Sequence, residues 1–227
     1  MPNNPFFPIA PPEFQGLRSD LPIEVYYRHL PHWRQQGATY AVTFRLADAL
    51  PREKIQQLQH WRDYWERTHE PPRSDKDWQE FASQINRQTE AWVDEGYGAC
   101  HLRDPVFART MADAFVYFQD QRSLTFCFCV MPNHCHVVVK PLEGFPLEDL
   151  LASWKGYVAF RINRARGQHG LIWEQESYDR IIRDEEHLMQ VIQYIGQNPL
   201  KAQLPNSEWY RWVHPEWEKA GWGFRDQ

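Results

Sequence analysis

From Thr39 to Leu46 every second residue is apolar or aromatic, with Tyr40, Val42, Phe44 and Leu46 on one side, the alternation of a strand buried on one face. Ser123–Met131 and His134–Lys140 read as two more strands, joined at Pro132-Asn133 as a hairpin, and Ser177–Arg183 as a short fourth one. Helical spacing takes over elsewhere. After Pro51, residues Ile55, Leu58, Trp61 and Trp65 recur on one helix face up to about His69, and Asp75–Ala91 carries Trp78, Phe81 and Ile85 in the same way. Arg103–Asp120 predicts a helix packed through Val106, Met111, Ala114, Phe115 and Phe118, and Pro146–Arg166 one packed through Leu147, Leu150, Leu151, Trp154, Val158 and Ile162. A last helix starts at an Asp184 cap, buries Leu188, Val191, Ile192 and Ile195, and is expected to end at Asn198-Pro199. The order predicts one α+β domain over 1–227, an antiparallel-rich sheet with helices packed on one face. Residues 1–24 are proline-rich and read as an irregular arm, 51–98 as a helical insertion, and 201–227 as a loop-like, tryptophan-rich tail.

A chain of 227 residues is long enough for one substantial core but short for two. The net charge of −5 argues against a surface that is basic throughout, though not against a local basic track. Lys155, Arg161, Arg164, Arg166, Arg180 and Arg183 supply such a track. Three of the four cysteines lie in the predicted central hairpin, where a free thiol packs as a small hydrophobe, so no disulfide framework is expected. No apolar run approaches the length of a membrane span. A soluble, cytoplasmic protein is expected, with no membrane partner, associated with the nucleoid when bound to DNA.

The candidate chemistry sits on the hairpin. If residues 134–140 are extended, His134, His136 and Val138 share one face and Cys135, Val137 and Val139 the other. Two imidazoles at this spacing reach one divalent ion, although a pair of buried, hydrogen-bonded histidines fits the same pattern. A zinc site made of Cys127, Cys129, His134 and His136 is an alternative, but it lacks the Cys-x-x-Cys knuckle usual for structural zinc. On the last helix, His187, Tyr194 and Asn198 form a row along the edge of the apolar stripe, which places the Tyr194 phenol between packed and open surface. Tyr157, among Trp154, Lys155, Arg161 and Arg164, is a competing tyrosine that reads as packing or as a DNA contact.

Met131-Pro-Asn-His-Cys-His-Val-Val-Val139 resembles the His-hydrophobe-His motif of the HUH single-tyrosine transposases. Tyr194-Ile-Gly-Gln-Asn-Pro-Leu-Lys201 resembles the tyrosine helix of their REP-associated branch. Ile172-Trp-Glu174 with Tyr178–Arg183, and the segments Arg28–Trp33 and Ala38–Leu46, resemble flanking parts of the same family. Cys135 at the middle of the motif is a mild departure, on the face turned away from the histidines. The resemblance implies an RRM-like or ferredoxin-like HUH fold that holds Mg²⁺ or Mn²⁺ through His134 and His136. It further implies Asn198 as the third ligand and Tyr194 as the nucleophile of a single-stranded DNA endonuclease and strand transferase acting on hairpin-forming repeats. The link formed would be a 5′-phosphotyrosine, which conserves bond energy and can be reversed onto another 3′-hydroxyl.

Tyr26, Tyr27, Arg28, His29 and Trp33 are expected to stack on or clamp the DNA, with Lys155, Arg161, Arg164, Arg180 and Arg183 on its phosphates. A DNA-hairpin-binding or regulatory protein with a vestigial nuclease site is the main alternative, and an RNA-binding module on the same sheet is a further one. Whether the chain is a monomer or a homodimer is open at this stage.

Overall fold

The computed structural model describes residues 9–28 and 31–225, so His29 lies outside the described residues. Five strands form one antiparallel sheet in the order β6-β3-β5-β4-β7, with β3 at Tyr40–Arg45, β4 at Ser123–Val130, β5 at His134–Pro141, β6 at Tyr178–Ile181 and β7 at Tyr210–Val213. A separate hairpin pairs β1 (Glu24–Tyr27) with β2 (Pro31–Arg34). The β5 strand is central, and its neighbours fix its register: Thr43 on β3 and Cys129 on β4 both stand opposite His136, and Arg45 opposite His134.

Because side chains alternate across the sheet, the two faces collect different partners. Tyr40, Val42 and Phe44, with Cys135, Val137 and Val139, pack against α3 (Pro105–Val116) and α4 (Leu147–Arg166) through Met111, Phe115, Trp154, Val158 and Ile162. Ala41, Cys127, Cys129 and Val138 face the other way, onto Leu188, Val191, Ile192 and Ile195 of α5 (Glu185–Lys201). The expectation of helices on one face thus holds for α3 and α4, while the helix bearing Tyr194 lies on the histidine face. The insertion is a pair of helices, α1 (Arg52–Thr68) and α2 (Asp75–Val93). The latter starts at a capping box in which Ser74 and Asp77 satisfy each other's backbone N–H groups.

Three expectations are corrected at the level of elements. The tail is not loop-like: β7 is an edge strand on β4, with Trp212 opposite Phe128 and their rings stacked at 5.4 Å, followed by α6 (Pro215–Lys219). Its four residues, YRWV, give too short an alternation to read by pattern, and the strand forms because β4 offers it a partner. The α5 helix does not end at Asn198-Pro199 but runs to Lys201, since a proline in the last turn removes one donor while its φ remains helical. Val106 points to solvent, and α3 packs through its neighbour Phe107 instead.

Over its described part, residues 9–23, the arm carries no helix or strand, and it is tied down. Trp217 Nε1 donates to the Pro12 carbonyl and Trp222 Nε1 to that of Ile9, both at 2.9 Å. No helix among the described residues is long and apolar enough to cross a membrane.

Candidate active site

His134 and His136 leave β5 on the same face, as period two requires, with ring centroids 4.8 Å apart and planes nearly perpendicular. Each imidazole is oriented through its Nδ1. The amide of Asn133 donates through Nδ2 to the carbonyls of Val93 (3.0 Å) and Tyr97 (3.1 Å), which leaves its Oδ1 to accept from His134 Nδ1 at 2.9 Å. The proton is therefore on Nδ1, and the Nε2 lone pair of His134 points away from the strand. That nitrogen is buried with no hydrogen-bond partner. For His136, Nδ1 meets Thr43 Oγ1 at 2.8 Å, and Nε2 accepts from Asn198 Nδ2 at 2.8 Å.

Both imidazoles are neutral at pH 7. Burial holds His134 well below the usual imidazole range, with repulsion from His136 and Arg45 adding to it, and burial with Arg180 pushes His136 down to about 3. Neutral imidazole is the ligating form.

Tyr194 and Asn198 occupy successive turns of α5, so both face β5. The tyrosine ring stands edge-on to His136 at 5.8 Å, and Lys201 Nζ lies 5.2 Å from the ring centroid. The phenol donates to Glu90 Oε2 at 2.7 Å. Burial, then the charge and hydrogen bond of Glu90, hold the tyrosine above the ordinary phenol range. Glu90 is itself raised by burial, against hydrogen bonds from Tyr194 and Asn86 and the nearby charge of Arg180. One turn later, at the C-cap of α2, Asp94 places Oδ1 3.7 Å from His134 Nε2, and that oxygen too is buried without a hydrogen-bond partner. Burial and the neighbouring Glu90 push Asp94 up to about 6.

Thr43, Glu90, His136, Arg180 and Tyr194 line a cleft of about 240 Å³, and a second cavity of about 420 Å³ adjoins it across Tyr178 and Arg180.

The donor set fits a divalent ion. His134 offers a free lone pair, and a half-turn of the Asn198 amide would present Oδ1 in place of Nδ2 beside His136 Nε2. Among the described residues no three His, Cys, Asp or Glu side chains already converge on one point. The zinc alternative is not formed for the same reason, and burial pushes the Cys129 thiol up to about 12.

The other candidates divide. Arg180 and Arg183 line the 420 Å³ cavity together with Trp33. Lys155, Arg161 and Arg164 sit on α4, the helix that packs the opposite face of the sheet. There Lys155 Nζ donates to the Glu174 carbonyl at 2.6 Å, and burial lowers it to about 8. Arg161 donates to the Tyr157 hydroxyl at 2.7 Å, which places that competing tyrosine away from the histidines.

Tyr26 is occupied by structure: its hydroxyl donates to Glu148 at 2.6 Å and its ring stacks on His32 at 4.9 Å. Tyr27 and Arg28 are exposed, with the Tyr27 ring 5.9 Å from Trp78. The sequence reading missed Thr43, Asn133 and, above all, Glu90 and Asp94. The surplus of acids in this insertion argues from sequence against phosphate contact, and the only trace of a role for these two is the spacing of two carboxylates one helical turn apart.

No protein-family model matches the chain. A curated protein of Haemophilus influenzae named "Putative REP-associated tyrosine transposase" is 25% identical over 119 residues, a match that covers 44% of this chain and 66% of the relative, just under two thirds of its length. A solved structure of a REP-associated tyrosine transposase bound to a REP hairpin aligns over 78% of this chain and 72% of its own at 15% identity, with a TM-score of 0.39. In sequence, the chain thus resembles a REP-associated tyrosine transposase over the part the curated relative matches.

Proposed function

We propose that the protein is a metal-dependent tyrosine nuclease and strand transferase acting on single-stranded, hairpin-forming repeat DNA. The observation that carries this reading is the convergence of Tyr194 and Asn198, from one helix, on His136 of the central strand, with Asn198 in contact at 2.8 Å and the tyrosine ring edge-on at 5.8 Å. The similarity to a curated relative of that name supports the choice of substrate.

Tyr194 Oη forms the new bond to phosphorus while the P–O3′ bond breaks, leaving a 5′-phosphotyrosine and a free 3′ end. The phenol proton passes to Glu90, already its hydrogen-bond partner at 2.7 Å, and the departing 3′ oxygen takes a proton from water. One phosphodiester replaces another, so attack by a second 3′-hydroxyl rejoins strands without an energy source. Mg²⁺ or Mn²⁺ held by His134 and His136, with the amide oxygen of Asn198, would neutralise the scissile phosphate and polarise it toward attack. Arg180 and Arg183 beside the cleft supply cationic contacts for the flanking phosphates, and Trp33 in the adjoining cavity a surface on which an unpaired base can stack.

The test is cleavage of end-labelled hairpin oligonucleotides by the full chain with Mg²⁺ or Mn²⁺. Tyr194→Phe is expected to reduce cleavage to background while hairpin binding stays within twofold, and chelator to abolish cleavage by the wild type. Cleavage by the phenylalanine variant at the wild-type rate would overturn the assignment. Hairpin binding without cleavage across a broad set of repeats would favour a DNA-binding protein without turnover.

A further inference from the structure

We propose that Asp94, the C-cap residue of α2 in the helical insertion, is a metal ligand alongside His134, so that the insertion forms part of the metal centre. The inference rests on the metal-dependent reading above and extends it to a residue outside the resembling motifs. Asn133 fixes the starting point: with its Nδ2 held by two backbone carbonyls, its Oδ1 can only accept, so His134 carries its proton on Nδ1 and bare lone-pair density on Nε2.

Opposite that lone pair, 3.7 Å away, stands Asp94 Oδ1, a carboxylate oxygen with lone pairs of its own. Both atoms are buried, and neither has a hydrogen-bond partner. Two acceptors facing each other out of water repel and lose hydration with nothing in return, an arrangement a cation between them converts into an attraction. Donors about 2.1 Å from a divalent ion stand roughly 3 Å apart when at right angles and roughly 4.2 Å apart when opposite, so the observed gap is within coordination range. Carboxylate suits Mg²⁺ and Mn²⁺ alike, while the imidazole nitrogen favours the transition metal, so the pair fits Mn²⁺ better than Mg²⁺.

The position is also held. The same Asn133 amide that orients His134 bonds the carbonyls of Val93 and Tyr97 on either side of Asp94, so one side chain sets both halves of the pair.

The experiment is titration of the full-length protein with Mn²⁺ alone, followed by calorimetry and electron paramagnetic resonance, for wild type, His134→Ala, Asp94→Asn and, as a neighbouring control, Glu95→Gln. Asp94→Asn is expected to weaken Mn²⁺ binding on the order of tenfold or more, as His134→Ala does, with Glu95→Gln unchanged. In the absence of metal its Tm is expected to equal or exceed that of the wild type, because Asn can donate to His134 Nε2 where Asp cannot; a purely structural aspartate would give a lower Tm. Asp94→Ala removes the carboxylate without adding a donor and should show the same loss of Mn²⁺ affinity. Wild-type affinity in both Asp94 variants, with binding lost in His134→Ala, would overturn the inference and leave the nuclease reading standing. Absence of any Mn²⁺ binding sensitive to His134 would overturn both.

Discussion

At the scale of single residues, chemistry depends on partners that lie far apart in the chain. His134 and His136 were legible because a period of two forces them to one face, whatever packs around them. Tyr194 and Asn198 were legible as an edge row one turn apart. Glu90 and Asp94 were not, because a carboxylate on an amphipathic helix reads as solvated until the tertiary fold turns it inward. Glu90 makes the sharper prediction. Glu90→Gln retains an acceptor for the Tyr194 hydroxyl but cannot take its proton, so cleavage is expected to fall by about 10² or more with hairpin affinity unchanged. A single-turnover rate within threefold of wild type would exclude proton transfer to Glu90.

At the scale of elements, long periodic segments were read correctly and short ones were not. The α5 helix was visible from its apolar stripe and its Asp184 cap, whose side chain accepts from His187 N as expected. The four-residue β7 and the β1–β2 hairpin are too short for periodicity to declare them. Packing at α5 gives a second prediction. A methyl group at Gly196 would come within 2.4 Å of the Phe224 ring, so Gly196→Ala must displace the C-terminal segment from the helix carrying Tyr194. A loss of about 1–3 kcal/mol is expected in denaturant unfolding, and Phe224→Ala in the same chain should recover part of it.

The β1–β2 hairpin gives a third. It is held to β6 by His32, which bonds Asp179 at 2.5 Å and Glu176 at 2.8 Å, and by Arg34, which also reaches Asp179. Burial opposes a charge on His32, but the two carboxylates outweigh it and raise the imidazole to about 9. A raised folded-state value means stabilisation that is complete below the unfolded value of about 6.5 and is lost as pH rises through about 9. The change amounts to about 3 kcal/mol at most, so Tm is expected to fall between pH 7 and pH 10 in the wild type and to fall less in His32→Gln. Parallel Tm profiles for the two proteins would remove His32 as the cause.

At the scale of the whole molecule, a sheet with two unlike faces divides the labour. One face, covered by α3 and α4, packs one apolar core, and the other packs a second apolar core against α5 while bringing Tyr194 and Asn198 of α5 and Glu90 of α2 to the histidine site. The sequence made the α+β class and the antiparallel centre readable, since alternation and hairpin chemistry are local. It hid that the 51–98 insertion brings Glu90 to Tyr194 and Asp94 beside His134, because no local pattern records where an inserted helix pair docks.

The proposed attack of Tyr194 on DNA is tested most directly by mass mapping of the protein after incubation with a hairpin oligonucleotide and Mn²⁺. A nucleotide adduct on the peptide containing Tyr194 is expected, absent with chelator and in Tyr194→Phe. An adduct on another tyrosine, such as Tyr157, would contradict the site. Cleavage with no covalent adduct at any tyrosine would contradict the mechanism.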